Sequence, residues 1–253
     1  MSRLSELSTI DDVLASFDDV IAQCEKEATP LGYFPALYRQ VTAAIKAAIP
    51  AGRFANPERM AHFDVVFASR YFDALDSWRK GETPTRSWLA SFAATTNDEL
   101  IVLQHILRAV NAHMRLDLGV AAATIAPGSE LPTLLGDFQE VDKILASLVN
   151  LDRLAVDSVS PMIRELDRLG HLDDDLVDIV IAGVRDQSWK VAKRLAPLSG
   201  DDFTAAVTAL DEEVVDLSGR VVDPGVVVRT LLRDVVKPAE NRDVCAVIHA
   251  LCC

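Results

Sequence analysis

The segment NAHMRLD places His113 and Asp117 four residues apart, one turn of an α-helix. An imidazole and a carboxylate at that spacing can chelate one divalent ion, with zinc, manganese or iron as the candidates. Alternatively, the carboxylate can orient the ring as a general base. The surrounding stretch, NDELIVLQHILRAVNAHMRLDLGVAAATIAPG, is apolar on nearly every face, yet it also carries Gln104, His105, Arg108, Asn111 and Arg115. A helix surrounded by protein that concentrates such groups lines a polar network or a cavity, because each one left unpaired costs about 1–3 kcal/mol. With about 100° between residues, His113 and Asp117 share a stripe with Val102, Ile106 and Val120. His105 falls about 80° away and two turns below, while Asn111 points roughly the opposite way.

Two other helices offer candidates. In NPERMAHFDVVFASRYFDALDSWRKG, Asp64, Ala68, Tyr71, Leu75 and Trp78 form one stripe, so Asp64 sits on an apolar face. It is expected to meet Arg108 or Arg115, or to complete a site with His113. His62 lies off the stripe and is expected at the surface. In RDQSW, Asp186 and Trp189 fall within about 60° of each other, with buried ion pairing as the simpler alternative to a site. The run Asp174-Asp175-Leu-Val-Asp178 mimics a diphosphate-binding DDxxD. It falls in the first turn of its helix, where acidic residues favour the dipole, and no second acidic motif faces it. Phosphate loops, GxSxG elbows, HExxH and paired CxxC motifs are absent.

The elements that must hold these residues are helices. Apolar spacing of three and four recurs along the chain, and strand-like alternation is nearly missing. Asn56-Pro57 and Ser160-Pro161 read as helix starts, Thr96 with Glu99 as a capping box, and Pro50 to Gly52, Lys80-Gly81, Pro127-Gly128, Pro197 to Gly200 and Asp223 to Gly225 as stops. These marks predict helices near 9–27, 33–49, 57–80, 85–95, 97–125, 131–157, 161–169, 173–196, 201–219, 226–236 and 239–251. The β-branched cluster from Val221 to Val228 is the one segment with strand character. No flexible linker divides the chain. The expectation is therefore an all-α, single-domain bundle over 1–253, with about 9–11 helices around a buried central helix near 97–125.

Composition narrows the function. The 253 residues carry 38 acidic and 25 basic side chains, a net charge of −13, which argues against nucleic acid and anionic membranes as partners. The most apolar stretch, LGVAAATIA, is about half the length of a membrane span. With no signal-like start, and with cysteines only at 24, 245, 252 and 253, the chain reads as a cytoplasmic protein with reduced thiols.

Two segments, FDVVFASRYFDALDSWRKGETPTRSWLASF and LIVLQHILRAVNAHMRLDLGVAAA, together with RDQSW, resemble the actinobacterial family catalogued as domain of unknown function 5995. The likeness runs from about Pro57 to Trp189. It implies an all-helical bacterial protein and no particular reaction. NAHMRLD also resembles the HxxxD pairs of helical zinc-dependent phospholipases and nucleases. Their trinuclear sites need more ligands than five histidines supply here. The functional expectation is an enzyme with a polar site at His113 and Asp117, supported by His105 and Asp64. Tyr71, Arg108, Asn111, Arg115, Asp186 and Trp189 would contact a small, partly apolar substrate. Metal-assisted hydrolysis and metal-free acid–base chemistry of lyase or cyclase type both remain open. The alternatives are a non-catalytic helical module binding an apolar small molecule or a partner helix, and a purely structural network.

Overall fold

The computed structural model describes residues 7–162, 183–222 and 225–252. Helix α1 (Ile10–Glu27) starts at Thr9, whose hydroxyl accepts from the Asp12 amide while the Asp12 carboxylate accepts from the Thr9 amide. Helix α2 (Tyr33–Ala48) lies against it, and α3 (Pro57–Arg79) begins at the Asn56 cap the sequence predicts. A short α4 (Arg86–Ala93) follows. The predicted central helix comes next, then α7 (Leu131–Val159), α8 (Gly183–Leu195) and α9 (Gly200–Val222). The chain continues through α10 (Val226–Leu231), extended by a π turn (Leu232–Val236) and Lys237–Ala239, to α11 (Val244–Leu251). No described residue is in a strand, and Val226 to Val228 are helical. The predicted helix near 161–169, Asp174 to Asp178 and the first part of the predicted 173–196 lie largely outside the described residues.

The central helix departs from a single α-helix over 97–125. It starts at Val102 as α5 (Val102–Val110), widens into a π-helix over Asn111–Asp117, and resumes as α6 (Leu118–Ile125). The Thr96–Glu99 capping box does not form. The Thr96 hydroxyl donates to the Ala93 carbonyl, and the Glu99 amide donates to the Asn97 side chain. The helix start is instead set by Gln104, which accepts from the Ile101 amide at 3.1 Å, and by Glu240, which accepts from the Val102 amide at 2.9 Å. Ser160 ends α7 and gives its hydroxyl to Glu240, and the helix predicted to start after it lies outside the described residues.

One apolar cluster runs from Ile10 in α1 to Leu251 in α11, and α5, the π turn and α6 pass through it. Helices α2, α3 and α4, and likewise α8 and α9, pack against this rod. The rod is buried at almost every position from Leu100 to Ala123, as the sequence implies. Its tightest approach is at Gly119, where an added Cβ would lie 2.4 Å from Val191 Cγ1 and 2.8 Å from the Ser188 carbonyl oxygen. Gly136, exposed in the interior of α7, would meet nothing within 4 Å.

These two glycines test the packing. In urea unfolding, Gly119→Ala should lose on the order of 1–3 kcal/mol, because backbone cannot yield as a flexible side chain does. Gly136→Ala should gain about 0.5–1 kcal/mol from the helix interior alone. A neutral Gly119→Ala would place α8 farther from α6 than described.

Candidate functional site

His113 and Asp117 come together as their spacing predicts, but inside the π turn. The His113 ring nitrogen Nδ1 lies 3.2 Å from Asp117 Oδ2, with both side chains essentially out of solvent. Two further donors converge on the same carboxylate. The Trp88 indole N–H from α4 donates to Oδ2 at 2.8 Å, and Arg70 Nε from α3 donates to Oδ1 at 2.7 Å. Burial pushes the Asp117 carboxyl up, but Arg70, His113 and Trp88 outweigh it and hold the group below the usual carboxylate range. Burial likewise lowers the His113 imidazole, and Asp117 only partly opposes this. The ring is therefore neutral near pH 7. With an anionic acceptor at Nδ1, the proton sits on that nitrogen and the lone pair on Nε2. Nε2 is buried without a hydrogen-bond partner among the described residues.

The walls around His113 are aromatic. Phe67 stacks on the ring at 3.8 Å between centroids, Tyr38 meets it edge-on at 4.4 Å, and Phe34 and Trp88 close the remaining sides. Asp64 lies one turn before Phe67 on α3 and is 1% exposed, and neither of its oxygens has a hydrogen-bond partner among the described residues. Burial alone raises its carboxyl to about 7. The sequence led us to expect an arginine here. Arg108 instead spans α4 and α9, donating to the Ala90 and Ser218 carbonyls, and Arg115 is half-buried on the π turn without bonding Asp64. What Asp64 shares with the His113 site is Tyr38, whose hydroxyl is driven up by burial and by the charges of both Asp64 and Asp117.

The other predicted residues lie elsewhere. His105 faces Tyr33 near the start of α5, with burial, Lys237 and Arg108 lowering it to about 4, so it forms a separate locus. Asn111 turns away from His113 and ties α9 through the Val214 carbonyl and the Ser218 hydroxyl. Tyr71 stays on the Asp64 stripe, stacked on Phe17, with its hydroxyl unpartnered among the described residues. Trp189 packs on Phe138 of α7. The side chain of Asp186 lies outside the described residues. His62 is exposed, as expected.

Arg70, Trp88, Phe67 and Tyr38 are the members that sequence reasoning missed. Arg70 meets Asp117 across 47 residues and Trp88 across 29, and no local spacing marks either pairing. Arg70 also leads outward. Its side chain is about a quarter exposed and lines a cleft of about 390 Å³ between the start of α1, one face of α3 and Thr124 of α6.

A resident metal does not fit this pair. Every oxygen of Asp117 already accepts an N–H, and a divalent ion there would face the Arg70 guanidinium at contact distance. Among the described residues no three His, Cys, Asp or Glu side chains are grouped to hold an ion.

A family of unknown function, DUF5995, matches residues 10–224. The chain belongs to that family. No curated protein and no solved structure matches it. The matched span contains the whole Arg70–Trp88–Asp117–His113 network and every residue placed around it, but not Glu240 and Lys237, which hold the start of α5.

Asp64 generates a pH prediction. Its folded pKa of about 7 lies above the ordinary 3.8, so the native state binds more protons between those values and loses stability as pH rises through them. His113 and His105, both lowered, work in the opposite direction below their ordinary 6.5, so the difference against a variant is the informative quantity. Between pH 5 and pH 8, the stability of Asp64→Asn relative to wild type should improve by a few kcal/mol in denaturant titrations. A pH-independent difference would mean that Asp64 ionises freely.

Proposed function

We propose that this protein binds a small molecule in the cleft between α1, α3 and α6, with the polar end of the ligand on Arg70. One observation carries this reading: Arg70 is at once a wall of the cleft and a donor to the buried Asp117 carboxylate. Nε is committed inward, which fixes the plane of the guanidinium and leaves its terminal nitrogens, without a hydrogen-bond partner among the described residues, for a ligand. The cleft is of ordinary ligand size and mixes apolar walls with a few polar groups. On this reading His113 and Trp88 are positioning residues, and their role is to keep Asp117 anionic and in place.

A second reading rests on the free Nε2 of His113. A neutral imidazole oriented by a carboxylate has the arrangement of a general base, and Asp64, with a pKa near neutrality, is a second group able to exchange a proton nearby. Four aromatic rings surround the imidazole and that nitrogen is buried, so the reading requires a substrate that reaches it when the helices part.

The two readings separate in one experiment. A panel of small carboxylates, amides and amino acids is titrated into ¹⁵N-labelled protein in H₂O, and the same probes are incubated with the protein in D₂O. Binding in the cleft should move the amides of residues 7–8, 65–73 and 124, and Arg70→Lys should weaken it about tenfold, through loss of the two-nitrogen fork. Hits confined to other surfaces would remove the binding reading. Base catalysis would instead appear as deuterium entering a C–H bond of a probe, abolished in His113→Gln.

A further inference from the structure

We propose that the cleft beside Arg70 takes a small zwitterion of amino-acid type, its carboxylate on Arg70 and its ammonium on Asp73. This rests on the reading above that the cleft is the ligand site. Arg70 and Asp73 are three residues apart on α3, so their side chains are neighbours on one face, and both line the cleft. They do not use each other. Arg70 bonds Asp117, and Asp73 makes no hydrogen bond among the described residues. Partial burial raises the Asp73 carboxyl, and the nearby positive charge of Arg70 only partly offsets it.

Local charge favours a ligand of mixed sign. The positive charge of Arg70 is already balanced by buried Asp117, so the carboxylate of Asp73 leaves the cleft net negative. A simple anion would meet Arg70 against that field, and a simple cation would leave the terminal nitrogens of Arg70 unused. A molecule carrying both charged groups on one carbon satisfies both.

The remaining polar groups agree. The hydroxyl hydrogens of Ser8, Ser69 and Thr124 are already given to Asp12, the Val65 carbonyl and the Val120 carbonyl. On these three cleft-lining residues the oxygens keep lone pairs as acceptors, which suits the three donors of an ammonium. Leu7, Val65 and Val66 supply apolar wall for an aliphatic side chain.

Calorimetric titration of the full chain with leucine, N-acetyl-leucine and leucine amide tests this. Leucine should bind at least about tenfold more tightly than either of the others, each of which lacks one charge. Asp73→Asn, an exposed position whose change leaves the core untouched, should remove the advantage of leucine over N-acetyl-leucine while leaving binding of the latter equal or better. Arg70→Lys should weaken both, with near-ultraviolet circular dichroism as the check that Asp117 and Trp88 keep their places. Binding of N-acetyl-leucine or the amide as tight as leucine would overturn the zwitterion and leave the cleft reading standing. Silence from all three would also overturn it, and the wider probe panel then decides separately whether the cleft binds anything.

Discussion

The carboxylate of Asp117 sits in the middle of the bundle, 1% exposed, and receives N–H donors from three directions. A charge in that position would be prohibitively costly without them. Each donor arrives on a different element: Arg70 on α3, Trp88 on α4 and His113 on the π turn itself. The requirement to satisfy one anion thus fixes how α3 and α4 sit against the central rod. It also fixes the protonation of His113, because an anionic acceptor at Nδ1 leaves the lone pair on Nε2.

The π turn belongs to the same constraint. Widening the helix over Asn111–Asp117 keeps His113 and Asp117 adjacent while Asn111 reaches α9 on the far side, and single π turns of this kind are frequent where side chains must be aimed. Around this centre the aromatic rings of α2, α3 and α4 exclude water, which strengthens the bonds to Asp117 and makes the unpaired oxygens of Asp64 expensive.

Buried carboxylates do a second job away from the centre, each capping a helix from across the fold. Asp137 of α7 accepts the Ala55 and Asn56 amides ahead of α3, and Asp211 of α9 accepts the Arg86 and Ser87 amides that open α4. Glu240 accepts the Val102 amide that opens α5. Carbonyls are met in the same way, Lys237 donating to Leu100 just ahead of α5 and Arg108 to Ala90 in the last turn of α4. By holding the start of α4, Asp211 also places Trp88 against Asp117. Long-range polar bonds therefore do here what local caps do in simpler bundles.

Periodicity and local caps are short-range properties, so the sequence by itself determined the helices, the α3 start at Asn56, the buried stripe through His113 and the pairing of His113 with Asp117. These depend on neighbours within about one turn. Which arginine would meet which acid was not determined there. Asp64 pointed equally well to Arg108 or Arg115, and it met neither. Arg70 and Trp88 reach Asp117 from 47 and 29 residues away, a pairing that depends on how three helices cross. The late start of the central helix was decided at the same range, by Glu240 across 138 residues. Tertiary packing alone set those distances, and with them the Arg70 cleft, because hydrogen-bond partners between helices follow from their crossing and carry no period in the chain.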